Sequence, residues 1–147
     1  TCRLADLQTR RLADLQTRRL AKMTFESLPG QYSVCRLAAQ AEVPSWVVGE
    51  GFSSVTRTDR ELSIVVPQNR VPPGIQAERG WSGFCIAGTL DFSEIGVLNS
   101  IADVLAKVSI PIFVVSTFDT DFVFVPSPSM KAAIRALVAA GHSFDFQ

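Results

Sequence analysis

WSGFCIAGTLDFSEIGVLNSIADVLAKVSIPIFVVSTFDTDFVFVPSPSMKAAIRALVAAGHSFDF, residues 81–146, is the stretch whose periodicity decides the fold. Trp81 to Ala87 reads as a strand, and Gly88-Thr89-Leu90 leads out of it. Asp91 and Glu94 stand three apart, the spacing of a capping box, which predicts a helix beginning near Ser93. Leu98, Ile101, Ala102, Leu105 and Val108 then form a one-sided apolar stripe of helical period. Ile110 to Ser116 is a continuous apolar run, the pattern of a central strand covered on at least one face. Residues 117–121 make a turn, and Phe122 to Val125 returns as the hairpin partner. Ser127 followed by Pro128 predicts an N-cap and first helical position. The helix runs through Met130, Ile134, Leu137 and Val138 and stops at Gly141, a residue suited to a left-handed cap. Ser143 to Phe146 supplies a last strand, so the order is β-α-β-β-α-β, the ferredoxin-like arrangement of the α+β class.

Upstream, the signals are those of strands. Pro29-Gly30 turns the chain into an alternating run from Gln31 to Leu37, with Tyr32, Val34 and Cys35 around an inward face. Phe52–Thr56 and Glu61–Val66 flank Arg57-Thr58-Asp59-Arg60, a polar tetrad suited to a hairpin turn. Residues 67–80, with Pro67, Pro72, Pro73 and Gly74, read as a loop or linker. No long helical pattern occurs here. The expected organisation is a leader over 1–22, a shortened β-rich half over 23–75, and a complete unit over 76–147.

The leader repeats RLADLQTR perfectly across residues 3–18. Eight residues overshoot two helical turns by about 80°, so its leucines spiral instead of holding one stripe. It reads as a duplicated or appended segment, with Met23 as the expected native start. Through Lys22 the chain carries six basic residues against Asp6 and Asp14, and the remainder is mildly acidic, which argues against nucleic acid as a partner.

Composition narrows the function classes. Charged residues are 19% of the chain and hydrophobic ones 47%, values that indicate a well-buried core. No apolar run is long enough to cross a bilayer and no signal-peptide pattern opens the chain, so a cytoplasmic protein with no membrane partner is expected. Cys2, Cys35 and Cys85 are far apart and His142 is the single histidine, which leaves no metal cluster and few parts for a catalytic triad. Buried free thiols are expected at Cys35 and Cys85, and no cofactor or catalytic residue is assigned.

GTLDFSEIGVLNSIADVLAKVSIPIFVVSTFDTDFVFV at residues 88–125 and FSSVTRTDRELSIVV at 52–66 resemble the small tandem ACT-domain proteins related to the CASTOR arginine-sensor family. The likeness covers most of residues 25–142, with SEIGVL and STFDTDFV its most specific segments and the octapeptide leader outside it. It implies an ACT unit preceded by a shortened ACT-like half, and amino-acid binding at an interface between units, with a homodimer completing the site. By motif, Glu94 matches an acidic ligand contact at the helix start, and Asp91 stands beside it where a sensor has glycine. Thr117, Phe118 and Asp121 match positions around the ligand, while Thr120 replaces an aromatic. Pro111 and Ile112 match edge-strand positions that approach ligand from the neighbouring unit.

The chemistry is consistent with that role. Free N–H groups near Gly96 and Val97, at a helix N-terminus, suit an α-carboxylate. Carboxylates at Glu94 and Asp121 suit an ammonium or guanidinium, and Gly96 lets a ligand approach the backbone. Each residue also has a structural explanation: helix capping for Asp91 and Glu94, tight packing for Gly96, turn formation for Asp121. The expected function is therefore an amino-acid-binding regulatory module and not an enzyme. The alternative is a structural dimerisation or protein-interaction module without a working pocket.

Overall fold

The computed structural model describes Gln8 and residues 22–88 and 96–146. The leader, apart from Gln8 and Lys22, and the expected capping pair Asp91 and Glu94 lie outside the described residues. Eight strands form one mixed sheet: β1 (Thr24–Ser27), β2 (Tyr32–Leu37), β3 (Ser54–Arg57), β4 (Leu62–Pro67), β5 (Ala77–Ile86), β6 (Phe113–Ser116), β7 (Asp121–Pro126) and β8 (Ser143–Asp145). Two helices, α1 (Val97–Lys107) and α2 (Met130–Ala139), pack on one face of it.

β5 organises the sheet. β2 pairs with its first half, with Tyr32 opposite Trp81 and Cys35 opposite Ala77. β1 pairs with its second half, with Ser27 opposite Phe84 and Phe25 opposite Ile86. β7 pairs with residues 81–85, overlapping both, so β1 and β2 must lie end to end along one edge of β5 and β7 along the other. The Leu28 amide, donating to the Gly83 carbonyl at 2.8 Å, stitches the kink between them.

The expected α+β, ferredoxin-like unit is present, with one addition. In an isolated βαββαβ unit the last strand lies beside the first. Here β1 stands between them, antiparallel to β5 and parallel to β8. The sheet of the C-terminal unit is therefore completed by a strand from outside residues 76–147.

Several local expectations shift. α1 opens at Gly96 and not near Ser93, because Gly96 is left-handed (φ 82°), which an α-helix interior does not accept. Its core stripe is Val97, Ile101 and Leu105, with Leu98 and Val104 alongside, while Val108 is 48% exposed. Ser127 and Pro128 form a 3₁₀ turn that leads into α2, so the helix caps at Ser129. α2 buries Ala133 and Leu137 and leaves Val138 exposed. β6 pairs with β7 alone and is an edge strand, not a central one: its apolar run packs the helix face through Ile112 and Val114 and the other face through Phe113 and Val115. The segment 67–80 is only partly a linker, since 77–80 extend β5.

The helix face carries two adjoining cores. Under α1 and α2 lie Phe25, Phe84, Ile86, Val123 and Val125. Further along, Cys35, Leu62, Ile64 and Val66 are covered by a loop with a 3₁₀ turn at Ser45–Val47. Arg57 holds that loop through the Ala39 and Ala41 carbonyls, and Arg70 through those of Val47 and Glu50. Among the described residues, no helix covers the opposite face. Tyr32, Val65 and Phe124 are buried there among partly covered Leu28, Val34, Phe52, Trp81, Phe113, Val115 and Phe122. Tyr32 and Cys35, both read from sequence as inward, thus face opposite sides of a sheet buried on both. Cys35 and Cys85 are free thiols, and burial pushes both thiol pKa values up.

Candidate ligand site at the ends of the C-terminal strands

The exit of β5 and the β6–β7 turn lie side by side. The Thr120 hydroxyl donates to the Ile86 carbonyl at 3.1 Å, which fixes the turn against the last residue of β5. Thr117 closes the turn: its amide and its hydroxyl both donate to the Thr120 carbonyl at 2.9 Å. Ser116 donates to the Asp121 carboxylate at 2.6 Å across the mouth of the hairpin. That carboxylate already carries one hydrogen bond, with capacity for others. Phe118 is 80% exposed at the tip.

After β5 the chain re-emerges at Gly96, whose left-handed backbone opens α1 without a side-chain cap. Among the described residues, the amide of Ser100 is the first to donate back, to the Gly96 carbonyl at 2.9 Å. The three preceding amides, at Val97, Leu98 and Asn99, are the donors an α-helix leaves free at its start. Val97 can contribute only through its backbone, because its side chain is 5% exposed within the core.

Pro111 and Ile112 are elsewhere. They precede β6, whereas Thr117 follows it, and the four residues of β6 separate Ile112 from Thr117 by roughly 16 Å. Pro111 is exposed, and Ile112 packs against the core beneath the helices. Within one chain, therefore, Thr117, Phe118 and Asp121 gather at the exit of β5, and Pro111 and Ile112 occupy the opposite end of the hairpin. Asp91 and Glu94 lie outside the described residues.

Sequence reasoning missed a groove on the helix-free face, walled by β3 and β6 and including Glu78, Trp81 and Phe113. A signal existed in Gly80, since a glycine inside a strand pattern marks a bulge. Reading 67–80 as a linker concealed it. Among the described residues no cluster of three metal-ligating side chains occurs, and no helix is long and apolar enough to cross a membrane.

Comparison with known proteins agrees with this architecture. Residues 76–139 match the family model of the ACT domain, and residues 30–74 match a model for an N-terminal domain. No curated protein matches the sequence. Protein Atu0741 from Agrobacterium tumefaciens is 40% identical, with a TM-score of 0.81 over 86% of this chain and 94% of that one. VC0802 from Vibrio cholerae, described as a possible transport protein, is 20% identical, with a TM-score of 0.68 over 82% of this chain and 91% of its own. The regulatory subunit of aspartate kinase from Thermus thermophilus is 14% identical, with a TM-score of 0.54 over 80% of this chain and 94% of that subunit. The last two likenesses are of fold. The identity with Atu0741 extends over most of both molecules, and so the chain belongs to the family of that protein and carries an ACT domain matched over residues 76–139.

Proposed function

We propose that the protein is a regulatory module, without chemistry of its own, that binds an amino acid between ACT units and is completed by a second copy of the chain. The observation that carries this reading is the division of the candidate residues between opposite ends of the β6–β7 hairpin. One end offers free helix N–H groups at Gly96 and Val97 and the Asp121 carboxylate; the other offers Pro111 and Ile112. An antiparallel partner would set its Pro111 end against the first chain's Thr117 end. The α-carboxylate then meets the helix start and the amino group meets Asp121, with Asp91 and Glu94 in the same connection. A 23–75 half that extends the sheet fits the same plan, as does a cytoplasmic setting.

The test is a thermal-shift panel of the twenty amino acids, including arginine, the ligand to which the CASTOR-family resemblance points. One amino acid should raise Tm, because a ligand that binds only the folded state stabilises it by mass action. Asp121→Ala and Glu94→Ala should each abolish the shift. No response to any amino acid at millimolar concentration sinks the proposal. The edge strands β3 and β6 favour a second reading, a structural dimerisation module, because among the described residues each presents an unpaired ladder edge. That reading wins if dimerisation survives both substitutions and ignores every amino acid.

A further inference from the structure

The helix-free face holds a groove of about 700 Å³, within the range of small-molecule sites. Its walls come from the two ends of a six-strand path. β3 is one edge and β6 the other, with β4, β2, β5 and β7 between them. Consecutive residues of both edges, Ser54–Thr56 and Phe113–Ser116, nevertheless line the same space. The sheet must curl for its edges to meet one groove, and Phe52 records the curl. Although it stands two residues before β3, its ring lies 4.6 Å from Phe122 and 5.3 Å from Phe124 on β7.

A bulge arranges the groove's chemistry. Trp81 pairs with Tyr32 and Glu78 with Val34, so three steps on β5 oppose two on β2. Residues three apart on a regular strand face opposite sides of a sheet. The extra residue puts the Glu78 carboxylate and the Trp81 indole on the same face, both in the groove. Gly80 makes this possible with φ 78°, and its amide is held by the Gln68 side-chain carbonyl at 2.7 Å. The Trp81 ring meets Phe113 edge-on at 4.7 Å, and Phe113 in turn stacks on Phe124 at 4.6 Å.

The charges are unequal. Glu61 also lines the groove but is ion-paired with Arg36. Glu78 is exposed and, among the described residues, has no hydrogen-bond or ion-pair partner. No Lys, Arg or His is among the groove's described lining residues. A free carboxylate beside an aromatic wall attracts a cation, and the missing positive charge disfavours a ligand bearing its own carboxylate.

We infer that this face carries a second site, separate from the proposed amino-acid site, for an organic cation with an apolar body: an amine or guanidine lacking a carboxylate. Its charge sits on Glu78 and its body on Trp81 and Phe113.

Two pairs of probes test the assignment: phenethylamine against phenylalanine and agmatine against arginine. Within each pair the compounds differ by one carboxylate. Full-length Trp46→Phe protein leaves Trp81 as the sole tryptophan reporter, and wild-type thermal shifts provide a second readout. Phenethylamine or agmatine should change Trp81 fluorescence saturably, with Glu78→Gln weakening binding about tenfold. The matching amino acid should bind at least about tenfold more weakly at this reporter. Asp121→Ala should leave the amine response intact, which separates this site from the proposed amino-acid site. The inference is overturned if neither amine gives a saturable signal by either readout. It also falls if Glu78→Gln changes nothing, if the amino acids bind as tightly as the amines, or if Asp121→Ala removes the response.

Discussion

The two faces of the sheet solve the same burial problem by different means. On the helix face, α1 and α2 press Val97, Ile101, Leu105 and Leu137 onto Phe25, Val123 and Val125, and the core is largely aliphatic. On the other face, among the described residues, no helix provides cover, and the sheet's own curvature and a set of rings do so instead. Phe52 touches Tyr32, Phe122 and Phe124, Phe124 stacks on Phe113, and Phe113 meets Trp81. Aromatic side chains bury large areas and tolerate edge-on contact, so they can close a surface that only strands approach. The curled face retains a groove.

The sharpest way to break this comparison is to test whether the curled face is a core at all. Phe124 is fully buried, and Phe124→Ala should cost about 3–5 kcal/mol in urea unfolding, comparable with about 2–5 for Ile101→Ala beneath the helices. A loss below about 1 kcal/mol at Phe124 would show that the rings only decorate the sheet. Gly83→Ala probes the fit: a Cβ there would lie 2.7 Å from the Phe124 ring and 2.9 Å from Leu28. A buried ring held on several sides gives way poorly, so about 1–3 kcal/mol of destabilisation is expected.

The helix face has a different vulnerability, in His142. Only 6% exposed, its Nδ1 accepts from the Met23 amide at 3.1 Å, and burial lowers its pKa below the ordinary 6.5. The unfolded chain then binds the proton more readily. The associated stability is complete above about pH 6.5 and declines as pH falls from there towards the lowered folded value. Tm measured between pH 7.5 and 5 should show this decline, and His142→Asn should flatten it. The smallest effect is expected at Arg36, whose ion pair with Glu61 is half exposed. Arg36→Ala should change stability by no more than about 1 kcal/mol, yet tighten amine binding by releasing a second carboxylate to the groove. Unchanged amine affinity would confine the site's charge to Glu78.

The sequence made these features visible to different degrees, for physical reasons. The β3–β4 hairpin was plain because its turn is local: the Thr58 hydroxyl accepts from the amides of Arg60 and Glu61 at 3.2 Å. Gly141 as the end of α2 was equally plain, since the His142 amide returns to the Leu137 carbonyl at 3.1 Å. The start of α1 was misplaced because capping-box spacing does not reveal that Gly96 adopts a left-handed backbone. Hydrophobicity alone could not separate an edge strand from a central one at Phe113–Ser116, because both faces of that edge pack on neighbours. Of the candidate site, the Thr117–Asp121 turn was legible as a motif. The groove was not, since it depends on a one-residue bulge and on curvature that brings together strands far apart in the sheet.

The four residues of β1 have a consequence in time. Thr24 and its neighbour in β8, Ser143, are 119 residues apart, and their hydroxyls lie 3.1 Å from each other in the finished sheet. At ordinary synthesis rates the ribosome needs about 6–24 s to make that interval. For that time TFES has none of its parallel partner, and β5 emerges long before β8. A short strand carrying Glu26 is a poor template for stray pairing, which suits a segment that must wait. Within the described sheet, the β1–β8 pairing is therefore the last that the emerging strands can make.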